Sequence, residues 1–174
     1  GQTGASRCSP SDSACACANA GRTVRTSISK ERIAISGTIG LPHPTRILCV
    51  CLGNICRSPT AEAVLRARLP GARIDSAGTA GWHMGNPPYG PAMQAAASRG
   101  YDLTDQRARQ VNVADFNRFD LILAMDRQNL ADLEALAPAD TTAELRLFLD
   151  PLGGGGVPDP YFTRDFDGAL DLIE

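Results

Sequence analysis

A cysteine and an arginine stand six positions apart in the run Cys51-Leu52-Gly53-Asn54-Ile55-Cys56-Arg57-Ser58-Pro59. The apolar stretch Ile47-Leu48-Cys49-Val50 precedes it, and a helical pattern from Thr60 to Leu69 follows it. This order predicts a buried strand ending at Cys51, a tight loop, and a helix whose first turn holds Arg57, Ser58 and Pro59. Pro suits that turn because its missing N–H has no intrahelical partner there. Such a loop surrounds a thiol with backbone N–H groups at a helix N-terminus, where an anion is favoured. The thiolate, which is the nucleophilic form, is favoured in that setting. Arg57 adds a planar fork of donors matched to a tetrahedral oxyanion. Nucleophile, anion cradle and guanidinium together fit hydrolysis of a phosphate ester. Cys51 would attack phosphorus, and water would release the phosphocysteine, which divides one hard displacement into two. Arg57 would stabilise charge on the equatorial oxygens. Gly53 lets the backbone turn closely around a ligand. Asn54 tolerates a left-handed conformation and bonds locally.

The run resembles the signature loop of the low-molecular-weight protein tyrosine phosphatases, in which five residues separate a cysteine from Arg-Ser. Three later stretches agree in order and spacing. They are Asp75-Ser76-Ala77-Gly78-Thr79 with Trp82, Phe119-Asp120-Leu121-Ile122-Leu123-Ala124-Met125-Asp126, and Pro158-Asp159-Pro160-Tyr161. The resemblance covers residues 46–174. It implies a phosphate-binding loop of Leu52, Gly53, Asn54, Ile55, Cys56 and Ser58, with Cys51, Arg57 and Asp159 catalytic. It implies that Ser58 hydrogen-bonds the nucleophile sulfur and helps it leave. It also implies that Asp159 protonates the leaving phenolate and then serves as base for water, roles one carboxyl can alternate between. Read without the resemblance, Asp159 is an ordinary Asp-Pro turn residue. The Gly run before it suits a loop that closes over substrate. Trp82, Tyr161 and Phe162 are implied to wall a deep cleft for a phenyl phosphate, with Leu52 and Ile55 beneath. Asp126 matches a carboxylate near the site, and on local grounds reads as a helix N-cap.

Two departures stand out. Gln106 occupies the place where many relatives carry a His that orients the loop's Asn and Ser. Gln donates and accepts hydrogen bonds but does not titrate, so the departure bears on the loop network rather than the core chemistry. The chain also stops at Glu174, where the family's final helix usually runs further, and a shortened helix is expected to expose apolar surface.

Cys51 and Cys56 lie at the two ends of one tight loop, and its curl is expected to bring their sulfurs close. Peroxide would convert Cys51 to a sulfenic acid, and Cys56 would resolve it to a disulfide that thiols reverse. On the plainer reading Cys56 packs beneath the loop.

Rival functions are weighed by residue. An arsenate reductase shares fold and loop but uses further downstream cysteines, and this chain has none after Cys56. A phosphoarginine phosphatase carries Thr where Ile55 stands. Cys49, Cys51 and Cys56 lack a fourth nearby ligand for structural zinc, so neither metal nor cofactor is expected. A nucleotide-binding loop would need Gly-Lys-Ser/Thr, which is absent here.

These residues need elements to hold them. The 174 residues, 43% apolar, suffice for one domain and an appendage. Strands are expected at Arg46–Cys51, Ala72–Ala77, Asp120–Met125 and Leu145–Leu149. Helices are expected at Ser58–Leu69, Pro91–Arg99 with Gly100 as cap, Val113–Arg118 with Asn112 as cap, and Asp126–Leu136. Leu130, Leu133, Leu136 and Ala137 would share one face of the last of these. Phe166, Leu170 and Ile173 suggest a final helix. Such alternation predicts an α/β fold, a Rossmann-like three-layer sandwich with a four-stranded parallel sheet flanked by helices. Its site lies beyond the carboxyl ends of the strands, where Cys51 falls.

Residues 1–45 are rich in Ser, Thr, Gly, Ala and Arg, lack a compact apolar core segment, and are expected to be a disordered N-terminal extension. Ile33, Ile35 and Ile39 are compatible with a short strand, and Leu41-Pro42-His43-Pro44 with a linker. Net charge is −2 overall, positive in the first 46 residues and negative after them, with no general reason to expect nucleic acid. No apolar run is long enough to span a membrane. The six cysteines form no framework across the domain, and a thiolate nucleophile needs a reducing compartment, so the cytoplasm is expected. The expected partner is a phosphotyrosine-containing protein, and the chain is expected to be a monomer or weak dimer.

Overall fold

The computed structural model describes residues 45–174. The expectations for the extension, for a strand at Ile33–Ile39 and for the linker before the domain fall outside the described residues.

Strand β1 (Arg46–Cys51) is buried along nearly its whole length and lies inside the sheet. It pairs in parallel with β2 (Arg73–Gly78) on one side and β3 (Leu121–Ala124) on the other, and β4 (Glu144–Leu147) extends the sheet beyond β3. The order is β2-β1-β3-β4, all parallel. The chain steps from β1 to one neighbour and later returns to its other side. This reversal opens a crevice at the carboxyl end of β1, where ligands bind in such sheets. Cys51 is the last residue of that strand.

Alternation along β1 sends successive side chains to opposite faces. Ile47, Cys49 and Cys51 pack with Ala61 and Val64 of helix α1 (Arg57–Arg68) and with Leu170 and Ile173 of the final helix, α6 (Phe166–Ile173). Leu48 and Val50 pack with Phe116 of α3 (Asp115–Arg118) and Leu133 of α4 (Arg127–Leu136) on the other face. Helix α2 (Gly90–Ser98) joins the first layer through Ala96. The expected three-layer sandwich is present. Gly100 follows α2 at φ +87°, the left-handed position that ends a helix most readily when no Cβ is present.

Three expectations need correcting. Leu136 does not share the buried face of α4. Leu133 is fully buried and Leu130 and Ala137 pack against the same cluster, but Leu136 is 38% exposed. At ~100° per residue it sits about 120° around the helix from Leu130. The fourth strand ends at Leu147 rather than Leu149, because the Leu147 N–H donates to the Asp150 side chain and Asp150–Leu152 forms a short 3₁₀ turn. Asn112 caps nothing directly. Its side chain accepts from the Ala114 N–H, and α3 begins three residues later at Asp115. A one-turn helix, α5 (Pro160–Thr163), was not foreseen.

Candidate active site

The segment from Cys51 to Arg57 curls between β1 and α1, and the Cys51 sulfur lies at its centre. The Asn54 N–H donates to Cys51 Sγ at 3.3 Å, and Ser58 Oγ lies 3.1 Å from the same sulfur. A backbone donor and a hydroxyl thus face the sulfur from inside the loop. Asn54 adopts φ +53°, the left-handed conformation expected for it. Gly53 lines the cavity around Cys51 and Arg57, and a Cβ there would stand 3.0 Å from the His83 ring. The glycine lets His83 close against the loop.

The side chain of Asn54 is the hub of the loop. Its Nδ2 donates to Ser58 Oγ and to Ser76 Oγ, both at 2.9 Å, and its Oδ1 accepts from the Arg109 N–H at 2.9 Å. Ser76 in turn donates to Glu62 Oε2 at 2.6 Å. A carboxylate at the far end takes the Ser76 proton, so Ser76 must accept from Asn54. Ser58 also accepts from Asn54, which frees its own proton for Cys51 Sγ or the Ala77 carbonyl. Gln106, in the place of the relatives' His, does not join this network. Its Nε2 donates to the Pro59 carbonyl at 3.1 Å, so it steadies the first turn of α1 instead.

Glu62 was not singled out from sequence, nor were Ser76, Arg109 and His83 given roles. The available signal was an acid in the fully buried part of α1. Burial pushes the Glu62 carboxyl above its ordinary range, opposed by the Ser76 hydroxyl and by Arg66, which pairs with it at 2.5 Å. A carboxyl raised by folding favours the folded state fully below its unfolded pKa and loses that advantage as pH rises through the folded one. Glu62→Gln is therefore expected to gain stability relative to the parent as pH rises from about 4 to about 8. Urea midpoints across that range test this, and parallel curves would mean that Glu62 titrates as it does in the unfolded chain.

Arg57 is 4% exposed. Its Nη1 donates to Asp126 Oδ2 at 2.6 Å and to the Val157 carbonyl at 3.1 Å, and its Nη2 donates to Asp159 Oδ2 at 2.7 Å. Asp126 fills both of its expected parts, because its other oxygen caps α4 by accepting from the Asn129 N–H. Asp159 likewise caps α5 through the Tyr161 N–H at 3.0 Å while facing Arg57. Three of the glycines in the run before Asp159, Gly153 to Gly155, have positive φ, a conformation that side chains resist.

Cys51, Leu52, Ile55 and Arg57 form the base of a 180 Å³ cavity, which Trp82, His83, Asp159, Tyr161 and Phe162 also line. Trp82 and Phe162 are largely exposed, at 75% and 77%, and the Tyr161 and Phe162 rings meet edge to face. The Cys51 thiol, the Arg57 guanidinium, the Asp159 carboxyl group and three aromatic side chains all meet in this one space.

A sequence model described as low molecular weight phosphotyrosine protein phosphatase matches residues 46–174. The chain belongs to that family. Its members are cysteine-dependent hydrolases, and among the relatives is the low molecular weight protein-tyrosine-phosphatase YfkJ of Bacillus subtilis. That protein is 40% identical over 137 residues, covering 74% of this chain and 88% of the relative. The fold is shared with solved members. Vibrio vulnificus Wzb, in complex with benzylphosphonate, superposes with a TM-score of 0.70 at 34% identity, over 74% of this chain and 91% of Wzb. The Drosophila arginine phosphatase DARP superposes at 0.69 with 33% identity, over 73% of this chain and 89% of that one.

Proposed function

We propose that this chain hydrolyses protein phosphotyrosine and small aryl phosphates through a phosphocysteine on Cys51. The observation that carries this reading is the convergence of Cys51, Arg57 and Asp159 in one aromatic-walled cavity. In the first step Cys51 Sγ attacks phosphorus, the P–O bond to the phenol breaks, and Asp159 gives its proton to the departing oxygen. Arg57 and the loop N–H groups hold the equatorial oxygens. In the second step Asp159, now ionised, takes a proton from water as the water attacks phosphorus. The S–P bond breaks, and the Ser58 hydroxyl and Asn54 N–H receive the charge returning to sulfur.

A rival reading is hydrolysis of phosphoarginine, and an arginine phosphatase is among the solved structures that share the fold. Ile55 lines the cavity here, an apolar contact suited to a phenyl ring. Steady-state rates for aryl phosphate, phosphotyrosine peptide, phosphoserine peptide, phosphoarginine and arsenate reduction separate the readings. The aryl and phosphotyrosine substrates are expected to lead, and a higher kcat/KM for phosphoarginine would overturn the assignment.

The substrate partner we propose is a phosphotyrosine-containing protein, with no nucleic-acid or membrane partner and a monomeric or weakly dimeric chain. Among the described residues no helix is long and apolar enough to cross a membrane. A thiolate nucleophile is best kept in the reducing cytoplasm.

Cys56 we assign as a resolving thiol. Its thiol is pushed up to about 12, by burial first and then by the negative charges of Cys51 and Asp159. It is thus protonated at rest and does not compete with Cys51 for phosphorus. Peroxide takes the attack of the Cys51 thiolate, giving sulfenic acid and hydroxide. That step neutralises Cys51 and removes one of the charges opposing ionisation of Cys56. Cys56 then attacks the sulfenic sulfur, and a disulfide and water result. After peroxide and then dithiothreitol, wild type is expected to recover while Cys56→Ser stays inactive through overoxidation. Equal recovery would leave Cys56 a packing residue.

A further inference from the structure

A second cavity, of 470 Å³, adjoins the catalytic one, and Leu52 and Trp82 line both. One leucine and one indole therefore form a shared wall. Leu136, the residue that α4 leaves out of the core, lines the second cavity together with Ala80 and Val111. Asp132 is the only charged side chain among its described lining residues.

The walls of this groove are tied to the catalytic loop. The Thr79 N–H donates to the Cys51 carbonyl and the Ala80 N–H to the Leu52 carbonyl, both at 2.9 Å. Gln110 Nε2 donates to the Thr79 carbonyl at 3.1 Å, and the Val111 N–H to the Gly78 carbonyl at 2.9 Å. The shape is set before any peptide arrives, so little ordering is needed on binding.

A phosphotyrosine ring inserted past Trp82 leaves its own backbone at the mouth of the catalytic cavity. An extended chain advances ~3.3–3.6 Å per residue, so two or three residues span about 7–10 Å and carry a neighbouring side chain over the indole. What such a side chain meets is aliphatic and aromatic surface beside a single carboxylate.

We propose that this groove is a substrate subsite. It receives an apolar side chain of the phosphoprotein within three positions of the phosphotyrosine, and Asp132 disfavours an acidic residue there. The proposal rests on the phosphotyrosine reading of the catalytic cavity. Its occupant is the substrate, because the groove is continuous with that cavity through Leu52 and Trp82.

The test uses the full chain and phosphotyrosine peptides carrying Leu, Ala or Asp at each of the three positions on either side, with aryl phosphate as the control. Partial burial of a leucine is expected to raise kcat/KM about ten-fold over Asp at one position, mostly through KM. Leu136→Asp is expected to erase that preference, and Asp132→Lys to turn it toward Asp, while aryl phosphate turnover stays unchanged in both. Equal kcat/KM across the wild-type peptide set would overturn the proposal, as would variants that alter peptide and aryl phosphate alike. A dimer lost on Leu136→Asp with the peptide preference intact would assign the groove to a second copy of the chain instead. Failure of the wild type to hydrolyse aryl phosphate at all would overturn the phosphatase reading, and the subsite with it.

Discussion

Cys51→Ser is expected to lower kcat by about 10⁴-fold or more, the scale seen when a covalent nucleophile is removed. Phosphate and vanadate should still bind. In the proposed mechanism the anion would be held by Arg57, by the loop N–H groups and by the start of α1, none of which the substitution touches. Arg57 keeps its place through Asp126 and the Val157 carbonyl. A serine hydroxyl at position 51 would find the Asn54 N–H and Ser58 Oγ already facing it, so it would not be left as an unpaired buried group. The neutral hydroxyl is simply a poor nucleophile with no base directed at it. A single-turnover assay with an aryl phosphate, paired with vanadate titration by calorimetry, separates chemistry from binding. Comparable turnover in the variant would sink the assignment of Cys51 and with it the phosphocysteine route.

Removal of the Asp159 carboxyl is the second large effect. Asp159→Ala is expected to lower kcat by about 10²–10⁴-fold for substrates with poor leaving groups, the range of general acid–base catalysis. The loss should shrink as the leaving phenolate becomes more stable, since such an oxygen departs without a proton. The Arg57 contact adds an expectation about binding. Asp159 and Asp126 both face the arginine, so removing one carboxylate leaves more of its positive charge for phosphate. KM and the inhibition constant for phosphate should therefore fall while kcat falls. Asp159 also caps α5, and loss of a cap costs about 1 kcal/mol. Asp159→Asn is the discriminating companion, because it keeps a capping oxygen but cannot deliver the proton. It should match Ala in kcat and the wild type in thermal midpoint. A loss independent of leaving-group pKa would make Asp159 a structural residue.

The catalytic loop was legible because all its parts are neighbours along the chain. An apolar strand, a glycine, an asparagine suited to left-handed backbone and a proline in the first helical turn specify β1, the curl and α1 through local sterics and hydrogen bonds. The capping part of Asp126 was readable for the same reason, since its partner Asn129 is three residues away. Helical periodicity placed α4 but assigned Leu136 to the wrong side. A list of leucines spaced by three and four residues describes an arc, and packing decides where that arc ends.

Asp159 shows the limit of such reasoning. It was found by resemblance, because nothing in an Asp-Pro dipeptide points to an arginine 102 positions earlier. Glu62 was not singled out, and Ser76, though part of the matching stretch from Asp75 to Thr79, was given no role. One lies on a helix and the other on a strand, and their contact exists only because α1 packs over β2. Sequence alone determined the alternating elements and the local loop that carries the proposed nucleophile and anion cradle, since these follow from side-chain type and from bonds between chain neighbours. The tertiary structure decided which carboxylates reach Arg57, which hydroxyls reach Asn54, and which apolar residue of α4 faces the second groove. Those depend on the sheet order β2-β1-β3-β4, which brings distant segments together at the end of β1 and which no local pattern encodes.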